Sequence, residues 1–291
     1  MSDAHHHNRA ARGPPGKIGL VLIVAATPIG NLGDASPRLR EALASADIIV
    51  AEDTRVAKSL IRALNLTTHA RFISANEHSE SAGADEIVMQ AISSTVVLIS
   101  DAGMPLVSDP GYLLVAAARV RNIPITVIPG PSAGLSALAV SGLPTDRFIH
   151  EGFIPKKGRT GYFESLATEP RTLIFFESPH RLAQSLGDMA QVFGGDRPAC
   201  VAREITKMFE EIAWGSLRDL AERFSGSVKG EIVVVVGGAP VRSGDVGGAL
   251  DAVRALMSEG VKRSEACASV AKEWGIPKGE LYRASLGGDT E

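Results

Sequence analysis

Cysteine is nearly absent from this chain. Cys200 and Cys267 are the two in 291 residues, far apart and without a Cys-x-x-Cys partner, so neither a disulfide framework nor a zinc module is encoded, and a reducing cytoplasm is the expected setting. No apolar stretch approaches the roughly 20 residues that a membrane helix needs. Net charge is also small: 30 basic against 33 acidic residues give −3. That excludes a protein that coats nucleic acid by charge alone and leaves a local basic patch as the means of binding it. Aromatic residues make up 5%, too few for bases to be read by stacking alone. The fingerprints Gly-x-Gly-x-x-Gly after a strand and Gly-x-x-x-x-Gly-Lys-Ser/Thr are missing, which disfavours a dinucleotide oxidoreductase and a P-loop NTPase.

What is present is alternation. Short apolar runs at Leu20 to Ala25, Ile48 to Ala51, Val96 to Ser100 and Ile125 to Ile128 read as strands covered on both faces. Helical stretches fall between them at Pro37 to Ala46, Thr54 (as cap) to Leu64, Gly111 to Val120 and Ser132 to Val140. Strands then come closer together, at Phe148 to Phe153, Thr172 to Phe176, Ala199 to Ala202, Met208 to Trp214 and Glu231 to Val236. Helices at Gly161 to Ala167, Pro179 to Phe193 and Leu217 to Phe224 separate them. The fold class is therefore α/β: a parallel-sheet domain over 18–147 and a mixed-sheet domain over 148–240. Residues 1–17, with His5 to His7, form a polar arm rather than a metal site. Arg9, Arg12 and Lys17 before an apolar run imitate a signal peptide, but that run passes into Thr27-Pro28-Ile29-Gly30, a ligand-type loop rather than a cleavage site. A glycine-rich linker at 241–249 precedes a helical tail over 250–291, whose helix, glycine-bearing turn and second helix outline a helix-turn-helix.

Four strand exits in the first half carry unusual loops: Thr27-Pro28-Ile29-Gly30, Glu52-Asp53-Thr54-Arg55, Asp101-Ala102-Gly103-Met104-Pro105 and Pro129-Gly130-Pro131-Ser132-Ala133-Gly134. In open α/β sheets ligands bind beyond the carboxyl ends of the strands, where these loops gather. Gly130 to Gly134 also has the Gly-x-Ser-x-Gly form of a nucleophile elbow. A serine hydrolase at Ser132 would draw its triad from His150 or His180 with Asp146, Glu164 or Glu169, yet no oxyanion loop precedes the serine and Pro131 removes a backbone donor. Further polar clusters stand at Glu177-Ser178-Pro179-His180-Arg181 and Arg203-Glu204-Ile205-Thr206-Lys207, together suited to a phosphate backbone.

Taken in order, Ala26 to Leu32, Ala51 to Arg55, Ser100 to Pro105 with Ser108 to Gly111, Pro129 to Ala133, Phe176 to Arg181 and Arg203 to Lys207 resemble the bacterial 16S ribosomal RNA cytidine 2′-O-methyltransferases, of the tetrapyrrole methylase superfamily. The likeness runs from about Leu20 to Gly237, and the tail is similar to the helical domain some members carry. Met104 and Leu106 depart from it, standing where small polar residues are common. The resemblance implies S-adenosylmethionine held by Pro28, Ser100, Asp101, Ala102, Val107, Ser132, Ala133, Phe176 and Gly230. It also implies a homodimer, no metal, and 16S ribosomal RNA of the small subunit as partner. It makes Ser132 a cofactor contact. Asp53 or Glu177 is the expected proton acceptor, with Glu52, Arg55, His180, Arg181, Arg203 and Lys207 toward the substrate. A tetrapyrrole C-methyltransferase with the same cofactor loops, and a cofactor-sensing nucleic-acid binder without chemistry, are the other readings to be separated from it.

Overall fold

The computed structural model describes residues 21–75, 80–240 and 246–286, with nothing stated for the side chains of 80–82. The expected arm and the linker residues 241–245 lie outside the described residues. The chain divides into two compact units: residues up to Ser136 with Glu204–Glu210, and Ala137–Arg203 with everything from Glu211. The turn at 204–210 belongs to the first unit.

The first unit holds five parallel strands, β1 (Leu22–Ala25), β2 (Ile48–Ala51), β3 (Arg71–Ser74), β4 (Val96–Ile99) and β5 (Ile125–Ile128), in the order β3-β2-β4-β1-β5. Its helices are α1 (Pro37–Ser45), α2 (Thr54–Ala63), α3 (Glu80–Ala91), α4 (Tyr112–Val120) and α5 (Ala133–Val140). Successive strand residues point to opposite faces, and the cores divide accordingly. Ile23, Ala25, Ile49, Val97 and Ile99 pack with α1 and α2, whereas Leu22, Val24, Ile48, Val50, Val96 and Leu98 pack with α3 and α4. Burial of each Val, Leu or Ile among them contributes about 1.5–3 kcal/mol. α1 leads left along the sheet from β1 and α4 leads right from β4, so the strand order reverses between these neighbours. That is the position where an α/β sheet opens a crevice at its carboxyl edge.

β3 and α3 were not expected. β3 is an edge strand whose ends, Arg71 and Ser74, are exposed, and α3 starts on Glu-Ser-Ala-Gly without a marked apolar stripe. Asp53, not Thr54, caps α2, its side chain accepting from Arg55 N.

The second unit contains β6 (Phe148–Phe153), β7 (Thr172–Glu177), β8 (Pro198–Arg203), β9 (Glu211–Ser216) and β10 (Ile232–Val236) in the order β6-β7-β10-β8-β9. Only the β6–β7 pair is parallel. α6 (Arg159–Leu166), α7 (Leu182–Phe193) and α8 (Leu217–Arg223) cover a core of Phe163, Phe175, Leu186, Met189, Val201 and Val234. β9 starts three residues later than the expected Met208, because the β8–β9 connection is a tight turn that leaves Met208 90% and Phe209 69% exposed. The tail comprises α9 (Val246–Ser258), α10 (Arg263–Trp274) and α11 (Lys278–Leu286) around Val253, Cys267, Val270, Trp274 and Leu281. α9 includes the 246–249 stretch expected as linker, since Ala249 is fully buried in that core. Gly275 ends α10 in the left-handed region, φ 62°. Among the described residues no helix is long and apolar enough to cross a membrane.

Candidate functional site

At the crevice the loops after β1 and β4 are joined backbone to backbone. Thr27 N donates to Gly103 O at 2.9 Å and Gly103 N to Thr27 O at 3.2 Å. Thr27, fully buried, donates its hydroxyl to Ser100 O at 3.3 Å, and Ser100 Oγ lies 3.4 Å from the carbonyl oxygens of Ala102 and Gly103. Gly103 has φ 87°, and a Cβ there would stand 3.1 Å from Ile29 Cγ2, so glycine is required for the two loops to meet. The loop after β4 is stressed further by Leu106 and Ser108, both in the left-handed region at φ 73° and 68°. Leu106, one of the two departures from the family pattern, packs inward beside Leu98 against Gly111. After β5, Gly130 comes so close to Ala26 that a Cβ would be 3.0 Å from the alanine's. Ser132 then precedes α5, its carbonyl accepting from Ser136 N at 2.9 Å. Of the expected cofactor contacts, Pro28, Ser100, Asp101, Ala102, Val107 and Ser132 thus lie on the loops of this edge in the first unit, with Ala133 opening α5. Phe176 and Gly230 belong to the second unit, where Phe176 meets His150 and Phe153 edge-on and Gly230 turns into β10 with φ 100°.

The same edge is acidic. Asp101 Oδ1 accepts from Asp53 N at 3.1 Å, tying the β2 and β4 exits together. Burial raises the carboxyls of Glu52, Asp101 and Asp109, and each is raised further by a neighbouring acid: Asp101 and Asp109 act on Glu52, Asp53 on Asp101, and Asp101 on Asp109. Asp109 was not singled out in the sequence; its place in Ser108-Asp109-Pro110-Gly111 was the available signal.

Both expected proton acceptors already hold partners. Asp53 accepts from Arg55 N at 2.8 Å and from Arg55 Nη2 at 2.5 Å, and the Arg55 hydrogen bonds hold its carboxyl down at about 2. Glu177, in the second unit, is buried with its oxygens taking Ser178 N at 2.6 Å, Arg181 Nη2 at 2.5 Å and the hydroxyl of Ser185. Arg181 also donates to Ile154 O, and Arg203 is held by Glu211 at 2.8 Å and Lys229 O, so these two cations are anchors of the second unit. Arg55 and His180 are exposed. Lys207, in the first unit, pairs with Glu204 at 2.8 Å and lies across Gly30, where a Cβ would come 2.3 Å from Lys207 Cγ. No group of histidines, cysteines and acids that could hold a metal occurs among the described residues.

A model of the tetrapyrrole (corrin/porphyrin) methylases matches residues 21–221. "Ribosomal RNA small subunit methyltransferase I" of Mycobacterium tuberculosis is 43% identical over 91% of this chain and 94% of its own length. The proteins of the same name from Mesorhizobium japonicum (45%, 91% of each) and Pseudomonas aeruginosa (40%, 91% and 96%) are similar to it over the same extent. Among solved structures, a diphthine synthase superposes with TM-score 0.58 at 16% identity, covering 75% of this chain and 90% of its own. The uroporphyrin-III C-methyl transferase of Thermus thermophilus, solved with S-adenyl homocysteine, gives 0.52 at 20%, covering 75% and 97%.

Proposed function

The chain belongs to the tetrapyrrole (corrin/porphyrin) methylase family, and from that premise we propose that it methylates small-subunit ribosomal RNA from S-adenosylmethionine, at the ribose 2′-hydroxyl of a cytidine in the 16S chain. Identity of 40–45% over nine-tenths of the chain to rRNA methyltransferases favours RNA over a tetrapyrrole or an ester as substrate. The carrying observation is the acidic crevice at the β1/β4 switch. S-adenosylmethionine bears a sulfonium and an ammonium against one carboxylate. Glu52, Asp101 and Asp109, which repel one another in the unliganded protein, suit such a cation.

Pro28, Ser100, Asp101, Ala102, Val107, Ser132 and Ala133 would hold this donor, with Phe176 and Gly230 from the second unit. When bound, it supplies an electrophilic methyl group. The protein's part is alignment: the Thr27–Gly103 bridge and the close Gly130–Ala26 approach fix the loops before any ligand arrives, so little ordering remains to oppose binding. Ser132 then acts as a donor contact and not as a nucleophile. Arg55, His180 and Lys207 are the residues we assign to the RNA. Arg181 and Arg203 are held by Glu177 and Glu211 within the second unit. We place the protein in the cytoplasm as a homodimer.

Incubation of assembled small subunits with methyl-labelled donor, followed by nucleoside analysis, tests this reading. Label in 2′-O-methylcytidine is expected. Label in uroporphyrinogen offered in parallel, with none in RNA, would overturn it.

A further inference from the structure

We infer that Glu204 takes the proton from the attacking ribose hydroxyl, with Lys207 and Gly30 as the residues that position it; this rests on the RNA-methylation reading above. The two acids that the sequence offered each serve another structural task, whereas the partner of Glu204, Lys207, itself lies on the loop after β1. Asp53 caps α2 and grips Arg55, and Glu177 is enclosed by three donors of its own unit. A hydroxyl attacking a methyl carbon must still lose its proton, and a carboxylate within hydrogen-bond reach is the ordinary acceptor.

Glu204 stands in the turn 204–210, which leaves the second unit's sheet and packs as part of the first, the unit that carries the crevice loops. The turn is built rather than slack. Thr206 N donates to Glu210 Oε2 at 2.6 Å, Lys207 N to Glu204 O at 2.9 Å, and Lys207 Nζ to Glu204 Oε1 at 2.8 Å. Two non-glycine residues, Glu204 at φ 52° and Thr206 at φ 67°, hold the left-handed conformation, and the Thr206 hydroxyl is buried without a partner. Strain and an unsatisfied group persist where the surroundings impose them, and such places gather at sites of chemistry. The imposed geometry sets the Lys207 stem on Gly30, in the loop after β1 that is hydrogen-bonded to Gly103. The ion pair thereby ties the Glu204 carboxylate to a lysine whose stem lies on the loop after β1.

The step balances. The 2′-oxygen forms a bond to the methyl carbon while the carbon–sulfur bond breaks, its electron pair staying on sulfur. The hydroxyl proton passes to the Glu204 carboxylate and from there to solvent.

The experiment compares wild type, Glu204→Gln and Glu204→Asp in the full chain. Single-turnover methylation of small subunits, calorimetric binding of S-adenosylhomocysteine and melting temperature are read for each. Glu204→Gln is expected to lower kcat by about 10²-fold or more, the usual share of a general base, with KM, S-adenosylhomocysteine affinity and melting temperature close to wild type. Glu204→Asp restores part of the rate. A Glu204→Gln rate within about threefold of wild type at saturation, or a loss that follows weakened S-adenosylhomocysteine binding or unfolding and is not rescued by aspartate, overturns the inference. Wild-type protein that leaves the subunits unlabelled overturns instead the RNA-methylation reading.

Discussion

Replacing Glu177 by glutamine separates an anchor from a catalyst. The Glu177 side chain is fully buried and accepts from Ser178 N, the Ser185 hydroxyl and Arg181, whose side chain is 21% exposed. Glutamine keeps the shape but turns one acceptor into a donor facing donors, and it leaves Arg181 without its counter-charge. Breaking a buried pair by removing one partner costs about 3–5 kcal/mol. Because Arg181 keeps some solvent and its bonds to the Ile154 and Pro155 carbonyls, the lower end, about 3 kcal/mol, applies. For a unit of this size each kcal/mol moves the melting temperature by about 2–4 °C, so a fall of about 6–12 °C is expected. Thermal unfolding by circular dichroism reads the fall. Methyl transfer at a temperature well below both transitions should remain within a few-fold of wild type. An unshifted melting temperature together with a hundredfold loss of kcat would refute the reasoning and restore Glu177 as the base.

Gly111→Ala places a Cβ 2.9 Å from Leu106 Cδ2 at φ 116°, and should destabilise the first unit by about 1–3 kcal/mol and weaken S-adenosylhomocysteine binding in calorimetry. Unchanged binding and melting would count against the coupling of this glycine to the β4 loop. Asp109 binds its proton more tightly when folded than unfolded, so its contribution to stability is present below the ordinary aspartate range and is lost as pH rises through the raised value. Asp109→Asn should therefore raise the melting temperature at neutral pH and leave it little changed in acid. A melting temperature that falls at neutral pH contradicts this. Cys200, buried and pushed up to about 11, should resist alkylation at pH 8 until the protein is unfolded, as mass spectrometry of iodoacetamide-treated protein would show.

The parallel sheet was legible because its central strands are buried on both faces and read as unbroken apolar runs: Ile48 to Ala51 and Val96 to Ile99 stand where they were expected. β3 was not, since an edge strand needs apolar residues on fewer positions, and Arg71 and Ser74 look like loop. The turn at 204–210 escaped for a different reason. Met208 and Phe209 have strand-like composition, and what overrides them is a set of contacts local to the turn, Thr206 N to Glu210 and Lys207 to Glu204, that no periodicity records.

The proposed donor site and the proposed RNA site differ in how far sequence reveals them, and the cause is physical. A donor gripped by backbone demands residues that few other tasks require: glycine at φ 87° where two loops bridge, glycine where Gly130 meets Ala26, and a buried threonine and serine to close the carbonyls. Such requirements leave unusual strings, which is why the proposed donor site is the more legible of the two. Binding of a phosphate backbone demands cations, which every surface carries. Arg203 and Arg181 read as phosphate ligands until the structure pairs them with Glu211 and Glu177, eight and four residues away. Conversely, Glu204 reads as a salt-bridge partner until the turn's placement in the first unit sets it with the β1 loop. A charged residue's role is therefore decided by which unit its backbone joins and how far its ion pair leaves it exposed: Arg55 pairs with Asp53 yet stays 88% exposed, whereas Arg203 is 22% exposed. Charge-reversal of Arg55 should then weaken RNA binding, whereas reversal of Arg203 should act through folding of the second unit.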